Sequence, residues 1–509
     1  MQDSNMTISN GEALQEIESI GVPGLDEILK GGLPKGCLYL VEGESGTGKT
    51  TLGLQFVLEG VRRGQRCLYV SLSETREELK QSAASHGWNL DGISVFVLTC
   101  GEDASVVTDQ YTLFYPSEVE LTSQVLQEVE RVRPERLVLD TLSGLRLIAN
   151  DPLRYRRQIQ GIREFLSHRN CTTLIIDEIE SSHPNFHFQP RSLAHGIINL
   201  ERWSPAYGPD RRRLTICKLR SIDVRTGYHD CNIARGGLEV FPRLRTTTHH
   251  GEKFRGQTLS SGIAGMDTLL GGGLDCGTSC LIMGSAGTGK SCLAMSYASS
   301  AAKRGENTLY FTFDEDVDIQ LARAEVIGLP LAEYAKVGKV RLETADPAVM
   351  SVGEFAVRLR DRVEANDTRL VVLDSLSGYL QAMSEQNFLN LHLYELLGYL
   401  RQKGVTTLMT LVQHGFVGAE VQTPAELSNL ADTVILLRYF EAKGEVRKAI
   451  SVFKKRAGNH ERTIRELCIG PPDGLRLSEP LRDFQGVLTG VPHFVGNTSR
   501  DGLLFPSSC

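Results

Sequence analysis

Short apolar runs of strand length recur along the chain, separated by longer stretches with helical spacing. In the first half, Cys37-Leu-Tyr-Leu-Val41, Cys67-Leu-Tyr-Val-Ser-Leu72, Leu137-Val-Leu-Asp140, Thr172-Thr-Leu-Ile-Ile176 and Ile197-Ile-Asn-Leu200 read as buried strands. In the second, Cys280-Leu-Ile-Met283, Thr308-Leu-Tyr-Phe-Thr-Phe313, Leu370-Val-Val-Leu-Asp374, Thr406-Thr-Leu-Met-Thr-Leu411 and Val434-Ile-Leu-Leu437 repeat the series. Residues 52–63 and 293–304 read as amphipathic helices, and Gly64 and Gly305 follow them, as glycine follows many helices. Strands that are apolar throughout need cover on both faces, and their alternation with helices gives a mostly parallel sheet. The pattern predicts an α/β fold built twice.

The order of the landmarks supports the duplication. Gly21-Val-Pro-Gly24-Leu25-Asp26, Gly31-Gly32-Leu33 and Gly43-Glu-Ser-Gly-Thr-Gly48-Lys49-Thr50 have counterparts further on. These are Gly262-Ile-Ala-Gly265-Met266-Asp267, Gly271-Gly-Gly273-Leu274 and Gly284-Ser-Ala-Gly-Thr-Gly289-Lys290-Ser291. The two Gly-rich loops lie 241 residues apart. We expect domains at 1–245 and 259–488, with a linker at 246–258 around the polar Thr246-Thr-Thr-His-His250. Residues 489–509, rich in Gly, Ser and Pro, read as a flexible tail.

Composition narrows the class. A chain of 509 residues has room for two or more domains, and 41% hydrophobic with 23% charged residues is ordinary for a globular protein. Lys and Arg number 55 against 62 Asp and Glu, a net charge of −7, which counts against a general nucleic-acid binder. No run approaches the ~20 apolar residues of a membrane span, and residues 1–18 are acidic without an apolar core. The expected location is cytoplasmic. Eleven cysteines without a Cys-x-x-Cys pair read as reduced thiols, with neither disulfides nor zinc.

Both Gly-rich loops match G-x-x-x-x-G-K-[ST] between a strand and a helix, the setting of a P-loop. Backbone N–H groups of Gly43, Ser45, Gly46, Thr47 and Gly48 would surround phosphates, with Lys49, Thr50 and Thr51 opening the helix. Gly284, Ala286, Gly287, Thr288, Gly289, Lys290, Ser291 and Cys292 repeat the arrangement. Lys49 and Lys290 reach the β- and γ-phosphates, and Thr50 and Ser291 offer a hydroxyl to Mg²⁺. Asp140 and Asp374 end apolar strands 91 and 84 residues after the lysines, where a Walker B carboxylate holds Mg²⁺ through water. The acids after the next strand are candidates to orient the attacking water: Glu74 in the first repeat, Asp314 and Glu315 in the second. Glu315 is also a candidate metal ligand. Late in each repeat a strand ends in Lys218-Leu219-Arg220 or Lys454-Lys-Arg456, whose alternate cations share a face. They suit either an arginine finger or a solvated strand edge.

In this combination the chain resembles the KaiC-like clock ATPases, two-domain members of the RecA superfamily. The resemblance runs from about residue 20 to about 490. It includes Ala431-Asp-Thr-Val-Ile-Leu-Leu437 and Arg482-Asp-Phe-Gln-Gly-Val-Leu-Thr-Gly490. It implies two tandem RecA-like P-loop ATPase domains, each a mostly parallel sheet flanked by helices. It further implies a two-ring homohexamer with ATP at the subunit interfaces of both rings. The first ring would mainly hydrolyse ATP, and the second would act as a serine/threonine autokinase.

By the same resemblance Ser85, Lys218, Leu219 and Arg220 contact nucleotide in the first ring, and Lys454 and Arg456 in the second. Lys448 stands where the family has Arg. The family's paired glutamates become Ser73-Glu74 and Asp314-Glu315, and its Ser-Thr acceptor pair becomes Ser428-Asn429. Ser428 is therefore the expected phosphoacceptor, with Thr423 matching a third family hydroxyl. The reading is a clock-like or signalling switch with partners on the C-terminal tail. A scaffold or histidine-kinase regulator that uses ATP for assembly, and a nucleic-acid motor, are the rivals.

Overall fold

Along Leu38–Gly43 (β1), Leu38 and Leu40 pack into one apolar cluster while Tyr39 and Val41 pack into another. Neighbouring strand residues face opposite sides, so a strand buried at every position must lie between two layers. The computed structural model describes residues 16–98, 118–143, 146, 152–179, 188–205, 208–245, 256–346, 348–381, 386–413, 425–471, 474–489 and 493–495. Helix α1 (Lys49–Arg62) sets Leu52, Leu54, Phe56 and Val57 on one face of the sheet. Helices Glu118–Val132 and Pro152–Ser167 cover the other with Val125, Val129, Ile159 and Ile162.

The first sheet has nine strands. After β1 come β2 (Cys67–Ser71), β3 (Ile93–Val97), β4 (Arg136–Asp140), β5 (Thr172–Glu178) and β6 (Gly196–Trp203). The last three are β7 (Arg211–Leu219), β8 (Tyr228–Ala234) and β9 (Gly237–Phe241). Their order is 3-2-4-5-1-6-7-8-9. Pairings from β3 to β6 are parallel, and those from β6 to β9 antiparallel.

The second sheet uses β10 (Ser279–Gly284), β11 (Asn307–Thr312), β12 (Val340–Thr344), β13 (Thr368–Asp374) and β14 (Thr406–Val412). It continues with β15 (Thr433–Ala442), β16 (Glu445–Lys455), β17 (Arg465–Gly470) and β18 (Gly474–Pro480). Its order, 12-11-13-14-10-15-16-17-18, is that of the first sheet repeated. The duplicated α/β architecture is thus two mostly parallel sheets flanked by helices, as in tandem RecA-like domains. The chain divides into compact units Met1–Arg243 and Leu244–Cys509.

The repeated Gly-x-x-Gly-x-Asp motif has a local cause. Asp26 accepts from Ser19 Oγ and from the backbone N–H groups of Ile20 and Gly21, and Asp267 does the same for Ser260 and Ser261. Each aspartate ties down the turn that enters its domain.

Three details depart from the sequence reading. Thr258–Leu259, at the end of the expected linker, pairs with Leu274–Asp275. His493–Phe494, inside the expected tail, pairs with Phe484–Gln485, and the Phe484 and Phe494 rings meet edge-on at 5.6 Å. Aromatic contact outweighs the local Gly and Ser content there. Finally, Cys468 is disulfide-bonded, which corrects the expectation of reduced thiols throughout; spacing alone could not reveal a pairing set by the fold. Eight described cysteines form no disulfide. No helix among the described residues is long and apolar enough to cross a membrane.

Candidate functional site

Each Gly-rich loop leaves the C-terminal end of the central strand and turns into a helix. Gly48 and Gly289 sit at the turn with φ of 103° and 104°, a left-handed conformation that side chains resist. A Cβ at either would also collide with Ile233 or Ile469. The loops' tips, Glu44–Gly46 and Ala286–Gly287, are exposed, while Thr47 and Thr288 are buried and donate to the carbonyls of Glu44 and Ser285 at 2.8 Å. Strand, glycine turn and helix N-terminus thus follow one another in the order that the motif requires.

The lysines fold back over the loops. Lys49 Nζ donates to Gly43 O at 2.9 Å and Glu44 O at 2.6 Å, and Lys290 Nζ to Ser285 O at 2.9 Å. Burial pushes both ammonium groups below their usual range, opposed by Glu178 and Asp140 at the first site and Asp374 at the second. A phosphate arriving there would restore the favourable environment of each cation.

Behind each lysine the helix hydroxyl meets the strand-end aspartate. Thr50 Oγ1 donates to Asp140 Oδ2 at 2.8 Å, and Ser291 Oγ to Asp374 Oδ1 at 3.1 Å. Both aspartates are buried. Burial raises the Asp140 carboxyl above its ordinary range, with the Tyr69 and Thr50 hydroxyls opposing. Tyr69 and Tyr310 hydroxyls each reach their aspartate at 2.6 Å. Thr410 and Gln320 add donors to Asp374 alone, at 2.5 and 3.4 Å. An all-oxygen pair of hydroxyl and carboxylate beside a phosphate cradle suits a hard, octahedral cation that keeps several waters. No group of three His, Cys, Asp or Glu residues among the described ones forms a protein cage for a metal.

The acids after β2 and β11 differ between the sites. Glu74 follows β2 and precedes α2 (Arg76–Ser85), which Thr75 caps in a reciprocal box with Glu78. The Glu74 Oε2 atom is buried with no hydrogen-bond partner. Burial first, then the charges of Asp140 and Glu78, hold its carboxyl above the ordinary glutamate range. At the second site Glu315 is occupied on both oxygens, by Arg323 at 2.7 Å and Gln320 at 2.9 Å. Asp314 accepts from the Ser375 hydroxyl.

The basic strand ends are not at their own loops. Lys218 lies opposite Ile197, which pairs with Leu40, three residues before Gly43 and two strands across. Lys454 lies opposite Val434, level with Leu281, likewise three residues before Gly284. At ~3.3 Å per residue and ~4.8 Å per strand that is more than 10 Å from the loop. Lys218 Nζ instead donates to Arg191 O and Ala194 O, and the Arg220 N–H to His195 O. Lys454 Nζ donates to Ser428 O and Ala431 O, both at 2.9 Å, and Arg456 to Asn429 O and Asp432. Leu219 sits beside Gly196.

Ser428 is half-buried on α5 (Ala425–Leu430), at the same end of the sheet as Lys454 and away from Lys290. Ser85 ends α2, next to His86 and Trp88, with its hydroxyl on Ser82 O. Thr51 is buried on α1, and Cys292 opens α3 (Lys290–Lys303) near Lys448 and Arg323. Thr423 lies outside the described residues. The sequence reading missed Tyr69 and Tyr310, although each occupies the same place in its repeat. It also missed Gln320 and Arg323, which have no such counterpart and become visible only when the helix α4 (Val317–Val326) is built.

Comparison with known proteins places the chain in a family. The family described as "ATPase: KaiC" matches residues 18–245 and 259–482. The circadian clock oscillator protein KaiC of a Picosynechococcus species is 28% identical over 499 residues, 96% of this chain and 94% of that protein. The circadian clock protein KaiC3 of a Synechocystis species is 25% identical over 501 residues, 97% of each chain. KaiC of Synechococcus elongatus is 27% identical over 507 residues, 97% of this chain and 95% of that one. With the family match spanning both repeats, a glycine-rich turn opening a helix in each and a buried aspartate behind it, the chain belongs to the KaiC family of ATPases.

Proposed function

We propose that the chain is an Mg-ATP-dependent ATPase that assembles into a two-ring homohexamer. The first site hydrolyses ATP and the second donates phosphate to Ser428. The whole would serve a clock-like or signalling switch in the cytoplasm, with partners at the C-terminal tail. The observation that carries the enzymatic reading is Glu74, whose Oε2 atom is buried without a hydrogen-bond partner, beside a complete P-loop. Thr50 with Asp140, and Ser291 with Asp374, are the residues that would hold Mg²⁺. When bound, the ion would offset the negative charge of the phosphates. Loop amides and Lys49 bind the phosphates, and Glu74 orients a water in line with the γ-phosphorus. The water's oxygen bonds phosphorus, the bond to the β–γ bridging oxygen breaks, ADP leaves, and the proton passes to Glu74.

The separation of Lys218, Arg220, Lys454 and Arg456 from their own loops supports assembly. Cations that cannot reach their own nucleotide are available to a neighbour's. Nucleotide held between subunits stabilises the oligomer by linkage, about 2.7 kcal/mol per site at 100-fold excess over Kd. Light scattering should report single chains without nucleotide and a six-chain mass with Mg-ATP. Single chains in saturating Mg-ATP would overturn the assembly reading.

Ser428 shares the sheet end of Lys454, so its hydroxyl would meet a neighbour's γ-phosphate rather than its own. Asp314 and Glu315 are both engaged by other side chains, so a base must be freed before the hydroxyl attacks. Phosphorylation is accordingly expected to be slow, partial and confined to one site. Mass spectrometry after long incubation with Mg-ATP should find one phosphate per chain at most, absent in Ser428→Ala. A phosphate that persists in Ser428→Ala would defeat the assignment.

A further inference from the structure

Helix α4 brings two side chains onto one carboxylate. Gln320 and Arg323 are three residues apart and share a helix face, and helical side chains lean towards the N-terminus. Both therefore reach back to Glu315, which stands just before the helix. Gln320 Nε2 takes Oε2 at 2.9 Å and Arg323 Nη2 takes Oε1 at 2.7 Å. Gln320 is itself buried and also touches Asp374. The first repeat has the same helix and the same glutamate, but neither partner. Positions 241 residues earlier hold Leu79 and Ser82. Leu79 is buried in the apolar core, and the buried Oε2 of Glu74 has no hydrogen-bond partner.

We infer that Arg323, with Gln320, clamps Glu315 away from the water beside the γ-phosphate, so that the second site retains ATP instead of hydrolysing it. Arg323 is a positioning residue, acting through Glu315. The inference rests on the ATPase reading above. It assigns the difference between the sites to a pair of side chains on one helix. ATP that is not lost to water stays available as the phosphate donor for Ser428. The ion pair is one-third exposed on both sides, 34% each, so its hold is modest and screened by solvent. A positioned base contributes ~10²–10⁴-fold to a proton transfer. Freeing a weakly held one should recover about tenfold, equivalent to about 1.4 kcal/mol.

The test uses the full chain carrying Lys49→Ala, so that remaining turnover comes from the second site. Adding Arg323→Ala should raise kcat about tenfold with KM changed less than about twofold. Arg323→Lys, which can still pair, should keep turnover low. Adding Glu315→Gln to Arg323→Ala should remove the gain, which a merely structural role for Arg323 would not produce. A fluorescent ATP analogue reports whether the second site fills. Filled sites with unchanged or lower turnover overturn the clamp alone. Filling that is lost only with Arg323→Ala overturns it too, because Arg323 would then contact nucleotide directly. A Lys49→Ala parent that fails to fill its second site overturns the ATPase reading of that site as well. In the otherwise unaltered chain, Arg323→Ala should shorten the lifetime of ATP bound at the second site in single-turnover measurements; an unchanged lifetime counts against the clamp.

Discussion

Lys49→Ala should lower steady-state ATP turnover by about 10²-fold, whereas Lys290→Ala should lower it by less than about twofold. The two lysines occupy equivalent loops, so the asymmetry arises elsewhere. Removing one preorganised charge from a transferring phosphoryl group costs about 10²–10³-fold in kcat. That loss shows in total turnover only where the site turns over. At the first site Glu74 has a buried oxygen with no partner and is free to take a water. At the second site Glu315 is held by Arg323 and Gln320. The residual rate of Lys49→Ala is then the second site's own slow hydrolysis. Lys49 is also half-buried near Glu178, Asp140, Asp177 and Glu44, so its loss would leave those carboxylates uncompensated at the proposed phosphate site. Nucleotide affinity at the first site should fall with the rate. Turnover measured on both variants at saturating Mg-ATP decides the matter, and equal losses would count against the division of labour.

Much of this was readable before any coordinate. The duplication is visible in Gly43 to Thr50 and Gly284 to Ser291, because a phosphate cradle needs glycines at fixed places that nothing else replaces. Asp140 and Asp374 are likewise legible, as carboxylates closing apolar strands. The sheet order follows less directly. Alternation of strand and helix implies parallel pairing, but which strand neighbours β1 depends on crossovers that local sequence does not encode. The antiparallel extension through β9 and β18 is seen in the sequence only as late β-rich runs. The contacts that distinguish the two sites were invisible for a different reason. Ser73-Glu74 and Asp314-Glu315 differ as strings in their first residue only, and neither string tells how its glutamate is held. Their environments differ through Arg323, eight residues away, whose side chain meets Glu315 only because α4 starts where it does. Cys468 was misread because pairing depends on distance in space, and the spacing of cysteines along this chain carries no such information.

The same contrast sets the expectation for Glu74→Gln. The substitution keeps the shape of the side chain and removes its ability to take a proton. Loss of a positioned general base costs about 10²–10⁴-fold, so turnover at the first site should fall by that order. Nucleotide binding should persist or tighten, because the wild-type carboxylate is an awkward neighbour for phosphate. Its Oε2 atom is buried without a partner, and the charges of Asp140 and Glu78 already act against it. Those causes also give the sign of the pH dependence. Burial holds the carboxyl above the ordinary glutamate value of 4.5, so the proton stays on at a higher pH than for an exposed glutamate. The base form is lost as the solution is acidified, and wild-type turnover should decline with an apparent midpoint above 4.5. The free energy has the opposite sense, since a raised carboxyl pKa favours the folded protein at low pH and that contribution disappears as pH rises through it. Glu74→Gln should therefore show a low rate without that acid limb, together with undiminished binding of a fluorescent ATP analogue and undiminished assembly in Mg-ATP. A variant that hydrolyses ATP at the wild-type rate would remove Glu74 from the mechanism. One that loses nucleotide as well as turnover would make the carboxylate a structural support of the loop rather than the group that takes the proton from water.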